Sequence, residues 1–127
     1  MIRVTVEYTD NLGPEADIPA LLRKMAAMVR AERRDLAAHD VHVAAHRLTE
    51  FVIGEAGDNW AWLEAGVRLP AAEADGAGIR ARLLALIDAH FAELYPRRSI
   101  CVSVRPTPAA EDVLEHAHVK SATADDF

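Results

Sequence analysis

The chain has 127 residues, 51% of them hydrophobic and 27% charged, with a formal net charge of −6. That length fits one domain and buries roughly two thirds of the unfolded surface, enough for a core without staples. The acidic balance argues against nucleic acid as the main partner, no apolar run approaches the ~20 residues of a membrane span, no signal segment is expected at the N-terminus, and the lone Cys101 excludes an intrachain disulfide and points to a cytoplasmic location.

Ile2, Val4 and Val6 alternate with Arg3, Thr5, Glu7 and Thr9. A period of two in β-branched residues predicts a half-buried strand. Asp10-Asn11-Leu12-Gly13-Pro14 ends it with turn chemistry. Such a strand would hold the α-amine of Met1 at the margin of the sheet, where an amine can act as a base; the alternative is an ordinary first strand. Asp17 then caps a helix that carries Pro19 in its first turn. Ile18, Leu21, Leu22, Met25, Met28 and Val29 form its apolar stripe, and it is expected to run to about Arg34. Arg23, Lys24, Arg30, Arg33 and Arg34 read as its solvated face.

Residues 40–53 are extended in character, with Val41, Val43 and Ala45 alternating against His42, Ala44 and His46. A turn is predicted over 54–59. In the next strand Ala61, Leu63, Ala65, Val67 and Leu69 make one face, and Trp60, Trp62, Glu64, Gly66 and Arg68 the other. The two segments are expected to pair as a hairpin. A second helix is predicted from about Ala74 to Tyr95, with Ile79, Leu83, Leu84, Ile87, Phe91 and Leu94 as its stripe. Gly76 and Gly78 weaken its start and Pro96 stops it. Ser99–Arg105 alternates as a last strand, in which Cys101 reads as a small half-buried residue and not a nucleophile.

The predicted order is β-α-β-β-α-β. The fold class is α/β (α+β), with two βαβ units in a four-stranded mixed sheet and both helices on one face. Residues 1–106 form this domain. The tail, 107–127, is too short and polar to pack alone and is expected on a neighbouring subunit. Trp60 and Trp62 are too large and apolar to leave in water as a patch, so another subunit should cover their face.

Several stretches carry a resemblance. Val6-Glu7-Tyr8-Thr9-Asp10-Asn11, Glu15-Ala16-Asp17-Ile18-Pro19, His46, the turn near Gly54, Trp60-Ala61-Trp62, Ala89-His90-Phe91-Ala92 and Ser103 resemble the 5-carboxymethyl-2-hydroxymuconate isomerase family of the tautomerase superfamily. The resemblance covers most of the chain. It implies a homotrimer of fused βαβ units with packed sheets. It also implies a reaction without a cofactor, in which a proton moves across a small unsaturated enol acid in aromatic-acid catabolism. That chemistry uses an N-terminal proline amine, and Ile2 stands where the proline belongs. The family also holds carboxylates with arginines, and the matching positions here are His42 and Ala44. The remaining candidate bases are the Met1 amine, His42 and His46. Arg47, Arg68 and Arg105 are possible replacement clamps for a carboxylate, and Trp60 and Trp62 are either interface core or ligand stackers. His42 and His46 lie ~13 Å apart on a strand, too far to share a metal. The two classes left open are an isomerase and a catalytically silent trimer that binds a small ligand or partner.

Overall fold

Each alternating segment becomes a strand because one side of it has a helix to pack on. The computed structural model describes residues 1–54, 60–70 and 76–107. Its elements are β1 (Ile2–Thr9), α1 (Ile18–Glu32), β2 (Val41–Leu48), β3 (Trp60–Arg68), α2 (Ala77–His90) and β4 (Ser99–Pro106). The sheet order is β2-β1-β3-β4. β1 runs parallel to β2 and antiparallel to β3, and β3 runs parallel to β4. Each parallel pair is joined by a helix, as a crossover requires.

Helices and sheet share one core. Ile2, Val4 and Val6 of β1 and Ala61, Leu63, Ala65 and Val67 of β3 are buried against Leu21, Met25, Val29, Leu83, Ile87 and Phe91. Burying each large aliphatic side chain contributes about 1.5–3 kcal/mol relative to leaving it in water. α1 packs on β2, α2 on β4, and the helices touch each other. Val41, Val43 and Ala45 in β2, and Ile100, Val102 and Val104 in β4, pack on the same core from the outer strands. Among the described residues no helix packs on the opposite face of the sheet.

The Asp17 cap forms as predicted: its Oδ1 accepts from the Ala20 N–H at 3.3 Å, and Pro19 lies in the first turn. Five expectations differ. β2 and β3 do not pair as a hairpin, because β1 lies between them and takes an edge of each. β2 also ends at Leu48 and does not reach residue 53, so the connection to Trp60 is too long for a tight turn. The regular part of α2 ends at His90, well before Pro96. Its last turns tighten instead, with Ala92 N–H bonded to the Ala89 carbonyl and Leu94 N–H to the Phe91 carbonyl. Leu84, expected in the apolar stripe, is 39% exposed, while Leu83 beside it is fully buried. Cys101, expected half-buried, is exposed, because it lies on the helix-free face. The expected turn over 55–59, the predicted helix start at Ala74 and the docking of the tail from Pro108 onward lie outside the described residues.

Candidate functional site

The helix-free face is built by register. Every second residue of each strand points to it, so the parallel pairing sets Arg3 beside His42, Thr5 beside Ala44 and Glu7 beside His46. Across β1 the antiparallel pairing sets Arg3 opposite Arg68, Thr5 opposite Gly66 and Glu7 opposite Glu64. At the β1–β2 seam lies a groove of about 470 Å³ lined by Arg3, Thr5, Val41, His42, Val43, Ala44 and His46. Its volume is that of a small-molecule site. Ala44 leaves room between the two imidazoles, and Arg3 gives the groove a positive wall.

His42 is oriented by a neighbour. Its Nε2–H donates to the His39 carbonyl at 2.9 Å. A carbonyl can only accept, so the neutral ring carries its proton on Nε2 and leaves Nδ1 as the acceptor. The 3-10 turn Ala38–Asp40 that supplies this carbonyl leads directly into β2.

The other expected site residues are spread more widely. Met1 precedes β1 and is 51% exposed. Ile2 turns to the opposite face and is fully buried in the helix-side core. Arg47 is not in the groove: it lines a separate cavity of about 400 Å³ with Tyr8, Asp10, Gly13, Pro14, Asp17, Ile18 and Pro19. Arg68 stands across β1 from the groove, beside Arg3. Arg105 is tied to Glu64, with its Nε 2.7 Å from Oε2. Trp60 and Trp62 occupy the far end of β3, beside Ser99 and Cys101 of β4, with Trp60 41% exposed. The structure therefore brings His42 and His46 together with two residues the sequence reading passed over, Arg3 and Thr5. The signal was present: both fall on the polar side of the first alternation, the side that a parallel partner carrying His42 must share. Among the described residues, no three His, Cys, Asp or Glu side chains gather to hold a metal.

Comparison with known proteins agrees with this architecture. A 5-carboxymethyl-2-hydroxymuconate isomerase from Deinococcus radiodurans R1 superposes with a TM-score of 0.72 at 24% identity, over 84% of this chain and 83% of that one. A 5-carboxymethyl-2-hydroxymuconate delta-isomerase gives 0.68 at 15% identity, over 87% and 83%. A structure described as a Q0 fused 4-OT wild type symmetric trimer gives 0.52 at 19% identity, over 84% and 85%. At these identities the likeness establishes a tautomerase-like fold. No curated protein gives a significant sequence match. The sequence pattern of 5-carboxymethyl-2-hydroxymuconate isomerase, however, matches residues 3–121. The chain belongs to the 5-carboxymethyl-2-hydroxymuconate isomerase family.

Proposed function

We propose that this protein is a cytoplasmic, homotrimeric isomerase of aromatic-acid catabolism that moves a proton across a small unsaturated enol acid in the open-face groove. The observation that carries this reading is the convergence of Arg3, Thr5, His42 and His46 on one groove. Arg3 offers the forked donor geometry that suits a carboxylate. His42 Nδ1 takes the proton from the enol hydroxyl, the conjugated electrons shift along the chain, and the imidazolium returns the proton to the distal carbon. No atom is gained or lost. His46 bounds the other end of the groove and is the second base in reach of a bound acid; the Met1 amine is the third candidate base.

The absence of an N-terminal proline sets the expected rate. A well-placed general base supplies roughly 10²–10⁴-fold, and a chain without the amine that the reaction uses forfeits much of that factor. Turnover of 5-carboxymethyl-2-hydroxymuconate should therefore be weak. In an ultraviolet assay of its isomerisation, His42→Ala should remove most of the activity and Arg3→Gln should raise KM with a smaller change in kcat. Efficient turnover that survives both His42→Ala and acetylation of the N-terminal amine would place the chemistry elsewhere.

A second reading is favoured by Ile2. At the position where the resemblance calls for a proline there is a fully buried core side chain. On this reading the protein is a silent trimer that keeps the groove as a binding site. Calorimetric binding of the enol acid with no change in its absorbance over hours would select it.

A further inference from the structure

The open face carries two like-charge pairs, each set directly across a strand boundary: Arg3 opposite Arg68, and Glu7 opposite Glu64. Directly opposed like charges destabilise a sheet, by up to ~1 kcal/mol a pair. The chain relieves one of the four groups itself, by reaching from Arg105 to Glu64 at 2.7 Å. Arg3 faces the groove. Two groups are left over. Among the described residues Glu7 is exposed and Arg68 half-buried, and neither has an ion-pair partner. They cannot serve each other within one chain, because their rows lie four residues apart, ~13 Å along the strand. On the same face Trp60 is 41% exposed, with Trp62 half-buried beside it.

A positive row, a negative row and an apolar end on one face make a surface complementary to a displaced copy of itself. We infer that Arg68 of one copy pairs with Glu7 of the neighbouring copy, and that this pair fixes the register in which the open faces meet, with Trp60 and Trp62 supplying the apolar contact. The inference rests on the proposed assembly of identical copies and goes beyond it by naming the contact that sets the register. The placement also explains why the chain tolerates both like-charge pairs: each leftover charge is neutralised from outside.

Charge reversal tests it, because each reversal improves the single chain while breaking the contact between copies. Arg68→Glu places a carboxylate opposite Arg3, and Glu7→Arg places a guanidinium opposite Glu64. Both variants should keep the circular dichroism of the parent, yet each should shift sedimentation at micromolar concentration from oligomer to monomer. The double variant R68E/E7R should sediment as the oligomer again. An Arg68→Glu variant that stays oligomeric, or a double variant that stays monomeric, overturns the pairing while leaving the assembly reading intact. A monomeric parent overturns both. If Arg68→Glu leaves the assembly unchanged but raises KM for the enol acid, Arg68 belongs to the carboxylate clamp and the pairing is again overturned. Should Arg68→Glu lose its folded signal, Arg68→Gln removes the charge without reversing it and must weaken the oligomer at least tenfold in concentration dependence.

Discussion

His90 shows how one side chain can hold three segments together. Its Nε2–H donates to the Ala16 carbonyl at 2.7 Å, and its Nδ1 lies 3.0 Å from Lys24 Nζ, which donates to it. The ring thus ties α2 both to the turn before α1 and to α1 itself. Ala16 is almost wholly buried, so its carbonyl has little water to turn to. His90→Ala should cost about 1–3 kcal/mol in urea denaturation, and His90→Gln, which keeps a donor, should recover part of it. Tyr95 supplies a pH signature. Its hydroxyl donates to Asp88 Oδ1 at 2.6 Å, and burial, then the bond and charge of Asp88, hold the phenol above its ordinary value of 10.0. A group whose folded pKa is raised adds stability that is complete below its unfolded pKa and declines as pH rises past it. Stability should therefore fall above about pH 10, and Tyr95→Phe should flatten that limb in thermal melts at pH 9 to 11. The slope will be well under the ~1.4 kcal/mol per pH unit of one fully coupled proton, because the side chain is partly in water.

At the level of elements, the start of α1 is readable in the sequence and strand neighbours are not. Asp17 announced itself by type and by the Pro19 two residues later, and it caps α1 as expected. The sequence did not announce that it does so from a left-handed backbone, at φ 46°. Two effects therefore oppose each other there. Asp17→Ala loses the cap and keeps the strain, and should cost about 1–2 kcal/mol. Asp17→Gly loses the cap but relieves the strain, and should cost no more than a few tenths. Equilibrium unfolding of the pair measures the difference. Alternation correctly sorted β1 and β3 into core and open faces, since that depends only on period. It carried no information on which strands lie side by side, and the hairpin expectation failed for that reason. The Arg3–His42 juxtaposition escaped notice with it, because the groove exists only once β1 is known to adjoin β2 in register. On α2 the period blurs, and Leu83 and Leu84 separate only through packing. Leu83→Ala should cost ~2–5 kcal/mol, whereas Leu84→Gln should change monomer stability by less than ~0.5 kcal/mol.

For the molecule as a whole, the exposed thiol of Cys101 offers a reading of coverage. It lies beside Trp62 on the open face, so an assembly that buries this face should slow its alkylation. Mass spectrometry after brief exposure to iodoacetamide should show little modification of the parent and rapid modification of any monomeric variant. Equal rates in both would mean that the copies meet elsewhere.

The central place of β1 has one more consequence. A chain made from its N-terminus produces β1 first, yet both of its neighbours are made later: β2 after all of α1, and β3 beyond that. During synthesis Ile2–Thr9 is therefore an apolar strand with two vacant edges, and completing the β1–α1–β2 unit fills only one of them. The other stays open until Trp60–Arg68 has left the ribosome. Each of these pairings joins segments far apart in sequence, which slows folding, and a vacant strand edge invites pairing with another chain. A strand with both edges paired in the native sheet is thus the one longest unpaired on the way to it, and its Arg3 and Glu7 put charge on that nascent strand before either neighbour exists.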